Sequence, residues 1–171
     1  MTNLITTFLN ICLLREGPDV LPSSLAFLAT IIVISLGVSI LIGSMVYDVT
    51  GAMLTSIAGL FLSFVFVRLL LLKRPERFLQ TFSAMLGTVT LINIISLPAS
   101  YSMRYLKLGH TAEMFFGLTA FALFVWIVIV YGHIFSKALS CAMSYGIAIS
   151  VGYALLQVMM LEMFVSGNMH A

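Results

Sequence analysis

Charge is what this sequence has least of. Asp, Glu, Lys and Arg make up 8% of its 171 residues, against about 25% in a soluble domain. So few charges cannot cover a surface facing water, and lipid is the expected solvent for most of the chain. The excess of two positive charges is too small to point to nucleic acid, and no nucleic-acid partner is expected. Cysteine is scarce too. Cys12 and Cys141 lie far apart, with no CxxC pair, so no disulfide framework is indicated and the redox compartment cannot be read. Each is either buried or palmitoylated. The N-terminus has neither a basic n-region nor a small-residue cleavage site, and is expected to be retained.

Chemistry-bearing patterns are missing as well. His110, His133 and His170 show no HxxxH or HExxH spacing, so no zinc site is expected. Met159, Met160, Met163 and Met169 beside His170 raise copper(I), a soft ion that thioethers bind. Methionine equally fills apolar space, and that reading is preferred. No histidine pair at facing depths suggests haem. No nucleophile stands beside a base, and there is no Gly-rich phosphate loop. Proton carriers place Asp, Glu or His at mid-depth. Here Glu16, Asp19, Asp48, Glu76, Glu113 and Glu162 all fall in connections or near segment ends. No cofactor, no metal and no catalytic residue is expected, and the chain reads as a non-enzyme.

What is present is one apolar run after another. A spanning helix needs roughly 20 mostly apolar residues. Five runs meet that length, at Leu25–Val46, Ala52–Leu72, Phe78–Leu97, Ala112–Tyr131 and Ala138–Phe164. Polar breaks separate them, namely YDVTG, KRPER, the longer PASYSMRYLKLGH and GHIFSK. Before them, Asn3–Leu14 gathers Leu4, Ile5, Phe8, Leu9, Ile11 and Cys12 on one helical face. That segment is too short to span. It reads as an amphipathic helix in the interface or tucked against the bundle. Gly17, Pro18 and Pro22 then break the helix, and Ser23 or Ser24 is placed to cap the next. The fold class expected is all-α, a polytopic membrane helical bundle. Residues 1–20 form the interfacial helix and linker, and residues 21–171 the five-helix transmembrane domain. Counting Lys and Arg by side puts Arg15, Lys73, Arg74, Arg77 and Lys137 inside, and only Arg104 and Lys107 outside. The N-terminus is therefore expected inside and the C-terminus outside, in an integral membrane protein of the bacterial cytoplasmic (inner) membrane.

Three groups of residues are candidate sites. Arg68 is one of very few charges inside a long apolar run. It lies five residues before Lys73, about 7–8 Å of helix, within reach of the headgroups by snorkelling. Alternatively it pairs inside the bundle, or joins Lys73, Arg74 and Arg77 in binding anionic lipid headgroups. On the other side Arg104, Lys107, Glu113 and Glu162 form either an ion-paired cap over the bundle or an outer binding site. The third group is in the last span. Ser140, Ser144, Ala148 and Gly152 make one i,i+4 row, and Ala142, Gly146, Ser150 and Ala154 make another on the nearly opposite face. Small rows let helix backbones approach closely, so this span is expected to be sandwiched. Ser35, Ser39 and Gly43 offer a weaker row, which suggests close pairing of the first and fifth spans. Asn93 and Gln157 are read as hydrogen-bonding glue between helices.

Glu16-Gly17-Pro18 before the first span, and VYGHIFSKAL (Val130–Leu139) where the fourth and fifth meet, resemble the Yip-domain family of Ypt/Rab-interacting membrane proteins. The resemblance implies five spans and a non-enzymatic protein that organises partners or membrane shape. The short bacterial branch fits best, because the long cytosolic N-terminal region of the eukaryotic members is not found here. Three function classes remain open. The preferred one is a scaffold or accessory subunit acting through helix–helix contacts, with membrane lipids and other membrane subunits or a homo-oligomer as partners. A small oligomeric transporter or channel subunit is the alternative, and would need a polar stripe through the mid-plane where only scattered Ser and Thr are visible. A membrane enzyme or redox subunit would need matched ligands that are missing.

Overall fold

The computed structural model describes residues 4–45, 47–105 and 110–168, which form helices joined by short turns and no strand. A short helix α1 (Leu4–Cys12) and a 3-10 turn (Pro18–Val20) precede α2 (Leu25–Gly43) and α3 (Val49–Leu70). A second 3-10 turn (Pro75–Arg77) leads into α4 (Phe78–Tyr105), followed by α5 (His110–Leu139) and α6 (Met143–Asn168). Helices α2 to α6 each contain a stretch long and apolar enough to cross a membrane. The chain is an all-α protein with five candidate spans.

Local chemistry sets the helix ends. Ser24 caps α2, its hydroxyl accepting from the Phe27 N–H at 3.4 Å. Asp48 caps α3, with Oδ1 accepting from the Gly51 N–H at 3.2 Å. Helix α5 closes in a Schellman motif. The Cys141 N–H bonds the Ser136 carbonyl at 3.0 Å, the Ser140 N–H bonds that of Lys137 at 3.3 Å, and Ser140 is left-handed at φ 54°. The same motif closes α1, with the Arg15 N–H on Asn10 at 2.9 Å, the Leu14 N–H on Ile11 at 3.0 Å and Leu14 at φ 62°.

Three expected boundaries move. The third span does not stop at Pro98 but runs on to Tyr105. Proline removes one N–H donor, which should meet the carbonyl four residues earlier, and that residue, Ile94, is on the exposed side. Beyond it Ser100 and Ser102 bond their hydroxyls back to the Ser96 and Pro98 carbonyls. GHIFSK is not a connection either. It belongs to α5, because Val130, Ile134, Phe135 and Ala138 continue the helical spacing and are almost wholly buried. The fifth span consequently starts at Met143, and Ser140 and Ala142 fall in the turn before it.

Helix α4 is the axis. In its most apolar stretch 61% of residues are buried, against 11–17% in the other four spans. It packs on α2, α5 and α1, while α6 packs on α5 and more lightly on α3. The expected close pair of first and fifth spans does not form; α2 lies on α3 and α4 instead. Packing is dense at the end that carries the KRPER turn. There Phe66 lies 4.9 Å from Tyr153 and 5.9 Å from Phe135, ring centre to ring centre. Phe78 and Phe82 stack at 5.5 Å, both edge-on to Phe64. Such aromatic pairs add about 0.5–1.5 kcal/mol each beyond area burial.

Helix α1 lies against this dense half. It buries Thr7, Phe8, Ile11 and Cys12 on α4 and α5. Leu4, Ile5 and Leu9, which share the apolar face read from the sequence, stay exposed. The ring of Phe8 fixes the rotation: it occupies the space where a side chain on Gly87 would stand, and it stacks on Phe27.

Candidate functional site

The other half of the bundle is open inside. A cavity of about 620 Å³ is lined by residues of all five spans. Its floor is formed by Ser35, Ser63, Met85, Tyr131 and Tyr153, and it extends to Gly43, Tyr47 and Leu161 away from the KRPER end. Much of its wall is apolar, with Leu60, Leu86, Val89, Ile127 and Val158 among the lining. None of the lining residues is Asp, Glu, Lys, Arg or His.

Two kinds of polar group face this space. The first is a closed network between α3 and α6. Gln157 Nε2 donates to Tyr153 Oη at 2.5 Å and to Ser63 Oγ at 3.2 Å. Ser63 Oγ donates to the Gly59 carbonyl at 2.6 Å, so Tyr153 Oη, also 2.6 Å away, donates to Ser63. Both donor hydrogens of Gln157 are thereby used, and its Oε1 acceptor is left over. The second kind has no partner. Ser35, Ser39, Ser56 and Asn93 all line the cavity, and none of their side chains bonds to a described residue. Most other membrane-embedded hydroxyls here satisfy themselves on their own helix, as Thr55, Thr88, Thr90 and Thr119 do. A hydroxyl or amide in an apolar setting without a partner costs about 1–3 kcal/mol. Among the described residues the only fully buried side-chain polar atom left without a partner is Ser83 Oγ; Ser35, Ser39, Ser56 and Asn93 are reached from the cavity and give its wall free hydrogen-bonding capacity for a polar guest.

The residues expected to be functional are arranged differently. Arg68 is in the last turn of α3, exposed, with its guanidinium 5.9 Å from the Phe78 ring centre. It does not point into the bundle. Lys73 is exposed. Arg74 and Arg77 turn to the end of α5. Arg74 Nη1 donates to Ser140 Oγ at 2.7 Å, and Arg77 Nη1 to the Lys137 and Ala138 carbonyls, both at 3.0 Å. Arg77 thus binds carbonyls at the end of a helix, where backbone acceptors run out of partners, and Arg74 holds the hydroxyl of the residue that follows. Of the other cluster, Glu162 is exposed. Lys107 and the side chains of Arg104 and Glu113 lie outside the described residues.

The two small rows of the last span divide. Gly146 and Ser150 are buried against α5. A side chain on Gly146 would run into the Gly132 carbonyl, and Ser150 Oγ donates to the Val128 carbonyl at 2.8 Å. Ala154 lines the cavity, and Ala142 is exposed in the turn. Ser144, Ala148 and Gly152 are exposed, with nothing within 4 Å of where a Gly152 side chain would begin. The sandwich is therefore filled on one side within this chain.

Sequence reasoning missed the cavity. Ser35 and Ser39 read as a packing row, and Asn93 and Gln157 as glue. Of these only Gln157 bridges helices, to Ser63. The available signal was Thr55, Ser56, Gly59 and Ser63 on α3 at the same depth as Ser35 and Ser39 on α2. His133 acts as a hydrogen-bonding residue near the end of α5: its Nε2 lies 3.0 Å from the Glu16 carbonyl. The segments that carry the Yip-domain resemblance touch there, since Gly17 also sits against the Lys137 side chain. Comparison with family models, with curated proteins and with solved structures finds no match for this chain.

Proposed function

We propose that this chain is a non-enzymatic membrane protein that holds a small uncharged amphiphile inside its helical bundle, as a transporter or channel-type subunit. The cavity carries this reading: four unpartnered polar side chains and a free Gln157 acceptor within a largely apolar wall. The absence of charge in that wall decides the ligand class. An ion there would lose its hydration with no counter-charge, which costs several kcal/mol. A neutral molecule with hydroxyl or amide groups would satisfy Ser35, Ser39, Ser56 and Asn93 and bury its apolar part on the rest. The dense aromatic end supports a site closed on one side and accessible from the other, as alternating access requires. The setting we propose is the bacterial cytoplasmic membrane, N-terminus inside, with the cavity towards the outer face. Kinship with the short Yip-domain branch is part of the proposal and rests on the two motifs alone.

The test is to fill the space. Ser39→Trp puts an indole into the cavity from α2. Small molecules extracted from purified wild type and variant are compared by mass spectrometry. A neutral amphiphile in wild type that falls at least about tenfold in the variant, as a loss of about 1.4 kcal/mol or more implies, is the expected result. No such molecule in the wild type, or equal amounts in both, would refute the reading.

An accessory-subunit role is the second reading, favoured by the exposed row Ser144, Ala148 and Gly152. Native mass spectrometry after gentle solubilisation checks it. A chain that runs alone, without a stoichiometric companion, removes it.

A further inference from the structure

A second concavity, of about 490 Å³, lies at the KRPER end, on the far side of the aromatic packing from the cavity. Asp19 comes to it from the first 3-10 turn, Glu76 and Arg77 from the second, Gln80 from α4 and Lys137 from α5. Its frame is fixed by backbone contacts. Gln80 Nε2 donates to the Asp19 and Leu21 carbonyls at 3.1 and 2.8 Å. Arg77 Nη1 holds the end of α5 through the Lys137 and Ala138 carbonyls. These bonds join segments some 60 residues apart in sequence, so the rim is set by the fold.

Three of the four charges on that rim are not used by the protein, and the fourth is used only in part. The side chains of Asp19, Glu76 and Lys137 make no hydrogen bond or ion pair among the described residues. Every hydrogen bond of the Arg77 guanidinium runs through Nη1, which leaves Nε and Nη2 for another partner. Two carboxylates and two cations thus border one space without pairing with each other. A simple anion would face the carboxylates, and a simple cation would face Arg77 and Lys137. A molecule carrying both charges meets each with its opposite. Arg77 immediately precedes α4 and Lys137 stands in the last turn of α5, the level at which headgroups lie.

We propose that this concavity binds a zwitterion bearing a phosphate and a primary ammonium, the pair found in ethanolamine phospholipids and in free phosphoethanolamine. The phosphate meets Arg77 and Lys137, and the ammonium donates to Asp19 and Glu76. A choline headgroup carries the same charges but no ammonium hydrogen, so it satisfies only half the site. A glycerol headgroup lacks the cation and meets the carboxylates unshielded.

The experiment uses the whole chain in a neutral detergent and native mass spectrometry, with palmitoyl-oleoyl lipids carrying ethanolamine, choline or glycerol headgroups at equal concentration. The ethanolamine lipid is expected to be retained about fivefold over the others, the scale of one or two exposed charge pairs. The double change Asp19→Asn with Glu76→Gln should abolish that preference, and Lys137→Gln should lower retention of the ethanolamine and glycerol lipids alike. All three side chains are exposed, so the fold is not at stake. Arg15→Gln, outside the concavity, should change nothing. Displacement by millimolar free phosphoethanolamine identifies a soluble source, and its failure to displace identifies the lipid. Equal retention of the three lipids, or a preference that survives the double change, overturns the proposal.

Discussion

At the scale of single residues, the two left-handed positions and the two cysteines are the most exposed to test. Leu14 ends α1 at φ 62°, a conformation that costs a side chain with a Cβ about 1–2 kcal/mol. Its side chain is partly exposed, so little packing is lost with it. Leu14→Gly should raise stability by about 0.5–1 kcal/mol once glycine's greater freedom in the unfolded chain is subtracted, read as a higher midpoint of denaturation in mixed micelles. Ser140 is in the same conformation at φ 54°, but it also receives Arg74 at 2.7 Å and Arg77 at 3.1 Å. Ser140→Gly relieves strain and removes those acceptors together, so its net effect should be smaller than that of Leu14→Gly. Burial in α1 pushes the Cys12 thiol up to about 11. It therefore stays protonated at pH 8, and the thiolate is the reactive form. A maleimide at that pH should label the half-buried Cys141 and spare Cys12, as peptide mapping would show.

At the scale of helices, α1 is the element whose seat is most sharply defined. Phe8 lies where a side chain on Gly87 would go. Gly87→Val should dislodge α1 and cost about 1–3 kcal/mol, the range for overpacking a filled site. The readout is Cys12, which should become reactive to maleimide as α1 lifts, while Cys141 labelling stays unchanged. Helix existence was legible in the sequence, because a bilayer demands length and apolarity and little else. Helix ends were less so. Gly132, His133, Ser136 and Lys137 read as a loop by composition, although Val130, Ile134 and Phe135 kept the helical period through them. The facing of each helix was the least legible. In a soluble bundle the apolar stripe marks the inside. Here every face is apolar, and the matched depth of Ser35 and Ser39 on α2 with Ser56 and Ser63 on α3 was the one sign that these residues line a common void.

At the scale of the whole molecule, an odd number of spans would put the two ends of the chain on opposite sides of a membrane. With Lys73, Arg74, Arg77 and Lys137 at one end, the orientation proposed above follows the positive-inside bias and puts that end in the cytoplasm. A periplasmically active phosphatase fused after Asn168 should therefore be active, and the same reporter placed in the Lys73–Arg77 turn inactive. Equal activity at both sites would break the five-span arrangement itself. The molecule is also uneven along its axis. Aromatic rings fill the half that carries the KRPER turn, and about 620 Å³ is unfilled in the other.

The central place of α4 has a consequence for biogenesis. Its span shares the lowest mean hydropathy of the five, 1.6, and is the most enclosed. Thr81, Ser83, Thr88 and Thr90 are all buried in the finished fold, but α5, which covers part of α4, is synthesised later. Until α5 arrives, a nascent chain must hold those hydroxyls against acyl chains or within the translocon. The vulnerable moment in making this protein thus falls between two insertion events, when its future pillar is still a half-sheltered newcomer in the lipid.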